Sequence, residues 1–410
     1  MTGPLEGIRI LEWAAFHNGP AAGYMLGDLG AEVIKIEEPV RGDPTRGMTH
    51  MYGDSITLPG GKLVWFELAN RNKKGIAVDL TKEQGKEIVY RLVEKSDVFL
   101  TNYYRNDLLV RNGMDYETLL KYNPRLIYAI SSAYGLRGPR SNERGFDTSI
   151  QAQSGLMWMM GDREFREPVQ VVGAPCDQMG ATMLAYSILA ALLARERLGI
   201  AQKVETSLLG SAIHLQAVGL NFTLLRGRHN SRHSRKKARN PLANHYCCGD
   251  GKWIMLAEPQ VERFWPQFCH IMRLDQLLKD QRFEKVHESL HEYSEELIRT
   301  LDAAFATHTR AEWLTRFEAM GAEYSYSPIL DYDELIQDPQ ATENRYFLDF
   351  NHPALGKIKM VNCPIDFSKT PAGPSREAPE LGQHTEEVLI NLLGYSWDEI
   401  ASLKEKGAIG

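Results

Sequence analysis

The sequence predicts an α/β protein. A Rossmann-like large domain with a doubly wound parallel sheet is built from both ends of the chain, and a smaller α+β domain is inserted between them. Short apolar strand segments alternate with helix-length segments from residue 7 to residue 131, the pattern of repeated βαβ units whose parallel strands need helical crossovers. The composition then shifts abruptly at residues 226–240, which hold seven Lys or Arg, two His and no acid. With 410 residues the chain is also too long for one small core.

Residues 7–13 read as an apolar strand, followed by a turn at His17-Asn18-Gly19-Pro20, a helix to Leu29 and a second strand at 32–37; this is a βαβ opening. Further strands are expected at 75–80, 97–100 and 126–131, with an amphipathic helix at 81–95 and a helix at 115–122. A long apolar run at 181–197 predicts a helix, 203–209 alternates like a strand, and 210–225 reads as a connecting helix. The expected division is residues 1–205 for the first part of the large domain, 206–225 for the connecting helix, 226–328 for the small domain and 329–410 for the return segment. In the small domain, 247–256 reads as a hairpin turning at Asp250-Gly251, and helices dominate 261–321. A strand pair at 347–361 and a helix at 385–393 end the chain, which shows no repeats.

A net charge of −6, with 43% hydrophobic and 24% charged residues, is a globular balance that points to neither nucleic acid nor a membrane surface. The basic stretch 226–240 lacks interleaved aromatics and is expected as a solvated loop, with phosphate contact left open. Five cysteines without a Cys-x-x-Cys pair suit a reducing compartment. The first residues lack a basic leader, and the apolar stretch 181–194 is shorter than a bilayer span; a cytoplasmic protein is expected. The His residues show no metal spacing. The first βα turn reads Phe16-His17-Asn18-Gly19-Pro20, and the glycine-rich pyrophosphate pattern is absent from the chain, which argues against a nicotinamide or flavin enzyme. No Gly-x-Ser-x-Gly elbow is present either.

Asp177, in Gly173-Ala174-Pro175-Cys176-Asp177-Gln178-Met179-Gly180, stands directly before the long apolar run. Two readings follow from the residues alone. It is an ordinary N-cap, or it is a nucleophilic carboxylate kept ionised by the helix dipole. Arg144-Gly145-Phe146-Asp147 offers a cation and a second acid, and Asn102-Tyr103-Tyr104-Arg105 follows the strand at 97–100, where open α/β sheets place ligands. Asn70-Arg71-Asn72-Lys73-Lys74 could bind phosphates, or could be an ordinary polar turn.

Several segments carry a resemblance in their order and spacing. They are Leu5-Glu6-Gly7-Ile8-Arg9-Ile10-Leu11-Glu12, Gly19-Pro20, Leu29-Gly30-Ala31-Glu32-Val33-Ile34-Lys35-Ile36-Glu37 and Gly42-Asp43-Pro44-Thr45-Arg46. Asn123-Pro124-Arg125, Ser327-Pro328-Ile329 and Leu393-Gly394-Tyr395-Ser396 continue the series, and together they resemble the class III CoA-transferases, the group of formyl-CoA, carnitine and benzylsuccinate CoA-transferases, nearly end to end. The resemblance implies that Asp177 is the nucleophile. It would attack an acyl-CoA thioester to give a mixed anhydride and CoA thiolate, with an enzyme-CoA thioester as a further intermediate, before CoA passes to an acceptor acid. It implies His17 as a donor to the transferred carbonyl, Asp147 as a second acid beside the site, and Phe16, Val78, Asn102, Tyr103, Arg111 and Arg144 as contacts to CoA. Coenzyme A and acyl-CoA would be substrates, with no prosthetic group. An interlocked, ring-like dimer is implied too, as a homodimer or as a heteromer with a related subunit.

Some residues depart from the family pattern. Glu38 stands where some relatives carry a CoA-binding arginine, and Ala257-Glu258-Pro259-Gln260-Val261 stands where several have a glycine-rich lid. An α-methylacyl-CoA racemase is the alternative activity, but Phe146 occupies the place of its proton-carrying histidine. One subunit of a heteromeric transferase is a further alternative. Trp13, Phe16, Met157, Trp158, Met159 and Met160 could line an apolar acceptor pocket, favouring an aryl or dicarboxylic acid such as benzylsuccinate with succinyl-CoA as donor; equally they could be core.

Overall fold

The computed structural model describes residues 3–410 apart from residues 52, 166, 229–231, 322 and 323. Three of the excluded positions lie inside the basic stretch. The chain forms two compact units, one of Met1–Met157, Gln170–Arg228 and Arg345–Gly410, the other of Trp158–Val169 and His229–Asn344. The return to the larger unit therefore falls at Arg345 rather than at 329, and a short piece at 158–169 joins the smaller unit.

The larger unit is organised by six parallel strands: β1 (Arg9–Trp13), β2 (Glu32–Glu37), β3 (Lys73–Ala77), β4 (Val98–Thr101), β5 (Ile127–Ser132) and β6 (Lys203–Ser207). Their order is β3-β2-β1-β4-β5-β6, in which the chain winds one way from β1 to β3 and the other from β4 to β6. The order reverses between β1 and β4, and ligands of open α/β sheets bind beyond the carboxyl ends of the strands at such a point. Ile10, Leu11, Val33, Ile34, Phe99, Leu100, Ala129 and Ile130 are buried, as strands covered on both faces require. Helices α1 (Asn18–Asp28) and α2 (Val64–Asn70) follow β1 and β2. Then come α3 (Glu83–Val93), α4 (Asn106–Asn112), α5 (Asp147–Gln153) and α6 (Pro175–Leu198).

Helix α6 begins at Pro175, six residues before the apolar run that announced it. Proline suits the first turn of a helix, where its missing N–H is not needed. The whole helix is long and apolar enough to cross a bilayer by length and composition, unlike the shorter run read from the sequence; here it lays Ala181, Leu184, Ile188 and Ala191 against the sheet. The expected connecting helix is two helices, α7 (Leu208–Leu215) and α8 (Ala217–Arg226), bent by 74°.

The smaller unit carries the expected hairpin, β7 (His245–Cys247) with β8 (Trp253–Leu256), extended by β9 (Tyr326–Ile329). Its helices α9 (Val261–Ile271), α10 (Ser294–Phe305) and α11 (Arg310–Glu318) enclose an aromatic core that includes Trp265, Phe268, Phe305, Trp313 and Phe317. The basic stretch is tied down here. Arg232 donates to the Gly161 and Glu167 carbonyls, and Arg235 and Lys237 pair with Asp302 and Glu164. The segment at the lid position is fixed as well: buried Glu258 accepts from the backbone N–H groups of Gln260 and Ser325. The chain ends in the larger unit with the hairpin β10 (Phe347–His352) and β11 (Gly356–Val361), and with α12 (Thr385–Leu393) and α13 (Trp397–Glu405).

The central sheet departs from its apolar pattern at three points. Glu12, Lys35 and Lys73, on β1, β2 and β3, are all fully buried. Lys35 Nζ lies 3.2 Å from Glu12 Oε1 and 3.0 Å from Asp43 Oδ2, and Lys73 Nζ lies 2.8 Å from Glu12 Oε2. The two ammonium groups also reach backbone carbonyls, Lys35 that of Ala14 in the β1–α1 connection and Lys73 that of Pro20 in the first turn of α1, both at 2.8 Å. Burial works against the charge on Lys35, yet Asp43, Glu12 and Glu37 hold it above its ordinary value. Gly23 admits the network, since a Cβ there would lie 1.9 Å from Glu12 Oε2. Removing one partner of a buried ion pair strands the other charge. Glu12→Gln is therefore expected to lower the unfolding free energy by about 3 kcal/mol, read as a fall in the urea midpoint at unchanged slope.

Candidate active site

At the switch between β1 and β4 the chain leaves β1 through Ala14 and Ala15 and enters α1. Asn102, just beyond β4, grips this exit with both ends of its amide, Oδ1 accepting from Ala15 N–H at 3.0 Å and Nδ2 donating to Ala15 C=O at 2.7 Å. Gly19 allows the approach, because a Cβ would lie 2.7 Å from the Ala14 Cβ and 3.1 Å from Asn102 Cγ. Phe16 takes the left-handed conformation at φ 63°, which costs a non-glycine residue about 1 kcal/mol or more. Its N–H donates to Asp43 Oδ1 at 3.3 Å, so the buried ionic network holds the strained residue. The next residue, His17, is thereby brought to the N-terminus of α1.

His17 faces the first turn of α6. Its Nε2 lies 3.1 Å from Gln178 Oε1, and Gln178 Nε2 turns the other way, toward the Tyr24 hydroxyl at 3.5 Å. The ring and the amide thus face each other where α1 meets α6. Burial, chiefly, lowers the pKa of His17. Its Nδ1 is buried and has no hydrogen-bond partner among the described residues.

Asp177 is the third residue of α6, and the N-cap is Ala174, left-handed at φ 56°. The N-cap reading of Asp177 therefore fails. The cap comes from another helix: Asp147 Oδ1 accepts from Cys176 N–H at 2.7 Å and Asp177 N–H at 3.0 Å. Asp147 Oδ2 accepts from Gln151, whose own amide pairs with both backbone groups of Val171. Asp147, which is buried, thus holds the donors that a helix N-terminus would offer an anion. Among the described residues, the partly exposed Asp177 carboxylate accepts no hydrogen bond. Burial around it, with Asp147 adding like charge, pushes its pKa up to about 7. The dipole does not hold it ionised as the sequence suggested, because another carboxylate already occupies the end of the dipole. Cys176 is fully buried, and its thiol is pushed up to about 12 by burial and then by Asp147 and Asp177, so it is no rival nucleophile.

The other expected residues differ in what they present. Arg111 and Arg144 are exposed, and neither forms an ion pair among the described residues. Phe16 and Phe146 pack edge to face at 5.7 Å, both partly open to solvent. Tyr103 packs on Trp13 at 4.5 Å. Val78 is buried in the core, with its N–H bonded to Glu37 C=O, so a ligand can meet only its remaining backbone. The Asn102 amide is committed to Ala15. Gln178 and Asp43 were not singled out in the sequence. Gln178 adjoins Asp177, but nothing local shows that its amide meets a residue 161 positions away. Among the described residues no group of three metal-ligating side chains occurs, and all five cysteines are unpaired.

The sequence pattern of CoA-transferase family III matches residues 5–385. The chain is 31% identical to (R)-2-hydroxy-4-methylpentanoate CoA-transferase of Clostridioides difficile, covering 99% of both chains. It is 32% identical to succinyl-CoA:glutarate CoA-transferase of Mus musculus, over 99% of this chain and 90% of that one. Its fold is similar to that of a CAIB/BAIF family protein from Brucella suis, with a TM-score of 0.81 and 26% identity over 95% of this chain and 99% of the other.

A carboxyl group whose pKa is raised on folding opposes stability once pH exceeds its unfolded value, and the cost is complete above the folded value. For Asp177 that window runs from its ordinary value of 3.8 to about 7. Asp177→Asn is therefore expected to melt a few degrees above the native protein at pH 8, with the difference shrinking toward pH 4, measured by calorimetry across that range.

Proposed function

This chain belongs to CoA-transferase family III, an enzyme family that moves CoA between acyl-CoA and carboxylic acids, and we propose that it does so through covalent adducts on Asp177. The observation that carries this reading is a partly exposed carboxylate at the head of α6 that does not cap the helix, because Asp147 does. A carboxylate with a pKa near 7 is more basic, and so more nucleophilic, than an ordinary one.

The Asp177 anion attacks the thioester carbonyl and expels CoA thiolate, leaving a mixed anhydride. The thiolate then attacks Cγ of Asp177, releasing the donor acid and forming an aspartyl-CoA thioester. The acceptor carboxylate runs the same two steps in reverse. Activation is conserved throughout, so no nucleotide is consumed. His17 orients Gln178 beside the nucleophile, and Asp147 fixes the turn that presents it. Arg111 and Arg144 are the cations for the CoA phosphates, to which guanidinium pairs bidentately, and Phe16, Tyr103 and the backbone around Val78 and Asn102 complete the CoA contacts. No prosthetic group enters these steps. The dicarboxylate named in the mouse relative agrees with a dicarboxylic or aryl acceptor and succinyl-CoA as donor, and the exposed Phe146 leaves racemisation without a second proton carrier.

The enzyme acts as a dimer of identical chains in the cytoplasm. Val218, Phe222, Leu224 and Leu225 on α8, with Ile213 and Leu215 on α7, are largely exposed, an apolar surface that a second copy covers. Light scattering is expected to give about twice the 46.4 kDa chain mass, with Leu225→Asp shifting the protein toward monomer or aggregate; a monomeric native protein contradicts this assembly.

Incubation with a panel of acyl-CoA donors, trapping with hydroxylamine and peptide mass spectrometry is expected to place the label on Asp177, with Asp177→Asn inactive. The rate of acylation should rise with pH to a plateau above about 7, following the ionisation of Asp177. A label on cysteine refutes the mechanism.

A further inference from the structure

Two polar atoms at the N-terminus of α1, His17 Nδ1 and Asn18 Nδ2, are buried without a hydrogen-bond partner among the described residues. The first belongs to the ring that meets Gln178, and the second is a donor. An unpaired buried amide N–H costs about 1–3 kcal/mol, and natural proteins leave few of them. Asn18 is 5% exposed, so its amide is held inside the protein rather than facing bulk solvent. A Cβ on Gly180 would lie 2.4 Å from Asn18 Nδ2: the amide fills the space that a side chain at 180 would take. Side chains of a helix lean toward its N-terminus and cover the turn before their own Cα. The turn covered from position 180 is the first turn of α6, which carries Asp177 three residues earlier.

We propose that Asn18 is a further catalytic residue, whose Nδ2–H supports the negative charge that develops on the carbonyl oxygen of acylated Asp177. This rests on Asp177 being the covalent carrier. As the CoA thiolate attacks Cγ of the mixed anhydride, a C–S bond forms and the carbonyl electron pair moves onto the Asp177 oxygen. Collapse restores the carbonyl and breaks the bond to the bridging oxygen, which leaves with the donor acid as its carboxylate. One anion enters and one leaves, and no proton moves. The oxygen that carries the transient charge belongs to α6 rather than to the substrate, and a fixed donor on the facing helix is suited to it. Before acylation the donor has no partner. Its cost is thus borne in the resting enzyme and relieved in the transition state, the condition for lowering a barrier rather than tightening ground-state binding.

Asn18→Leu keeps the shape of the side chain and removes the donor. In rapid-quench single turnovers with succinyl-CoA, trapping with hydroxylamine counts acylated Asp177 and intact-protein mass counts the CoA adduct. Acylation is expected at close to the wild-type rate, with the CoA adduct forming about 10- to 1,000-fold more slowly, as for loss of an oxyanion donor. KM for succinyl-CoA should be unchanged, and the melting temperature equal to or above that of the wild type, because an unsatisfied group has been removed. A merely structural role would lower the melting temperature and slow every step alike, and that result overturns the inference, as does an adduct forming at the wild-type rate. Should Asn18→Leu fail to fold, Gly180→Ala supplies the test, since its methyl group displaces Nδ2; unchanged adduct formation there also overturns the proposal. If the wild type forms no adduct at Asp177, the carrier reading itself has failed, and the two failures are told apart.

Discussion

The carboxylate of Asp147, accepting hydrogen bonds from the first turn of α6, sets the chemical state of everything near it. A helix N-terminus has N–H groups to offer, and whichever anion takes them is stabilised in its charged form. Here they go to a residue from α5. Asp177, two residues inside α6, is left partly buried beside an anion with no hydrogen-bond donor among the described residues, and burial first, then that neighbouring charge, raises its pKa to about 7. Were the roles exchanged, with Asp177 as cap and Asp147 bare, the exposed carboxylate would be a weak base of the ordinary kind. Two acids in one site are distinguished by their hydrogen bonds, not by their residue type.

A second constraint supports the other side of the site. The strand order is the one dinucleotide-binding folds use, yet the first turn lacks their glycines, and the space beneath it holds charge. Lys35 and Lys73 reach up from β2 and β3 to the carbonyls of Ala14 and Pro20, while Asp43 takes the N–H of Phe16. A turn held from below by ammonium groups can be strained at Phe16 and still have one conformation. That rigidity fixes how His17 and Asn18 meet α6. Backbone strain at Phe16 and Ala174, an unpaired donor on Asn18 and a raised carboxyl pKa on Asp177 all fall where α1 meets α6. Departures from local rules gather at working sites because the rest of the fold over-determines them.

Much of this was legible from one sequence. Strand periodicity located β1, β2, β4 and β5, because strands buried on both faces read as short apolar runs. The Asp-Gly turn located the β7–β8 hairpin. Asp177 was legible by its position before an apolar run, but its state was not: burial raises its pKa first, the neighbouring charge of Asp147 comes from 30 residues away, and neither leaves a periodic trace. The break between α7 and α8 at Gln216 was missed, because both halves are apolar and neither glycine nor proline marks the bend. Lys35 and Lys73 resemble surface residues in the sequence, since only packing reveals that two lysines share one buried glutamate. The contact of His17 with Gln178 was not legible either, because it joins residues 161 positions apart.

The raised basicity of Asp177 also bears on the energetics of carrying CoA. Expulsion of a thiolate by a carboxylate is uphill in proportion to the gap in basicity between them, because the poorer base is the better leaving group. An ordinary aspartate, near 4, and a thiol, near 8.5, are separated by about 4.5 pKa units. An aspartate near 7 narrows that gap to between one and two, and each unit is worth about 1.4 kcal/mol. On the proposed route through Asp177, the substrate thioester and the anhydride are thereby brought closer in free energy, which would let CoA move in either direction without an external source of activation. On that route the burial that costs the resting protein stability is also what evens out the intermediates, with the like charge of Asp147 adding to it.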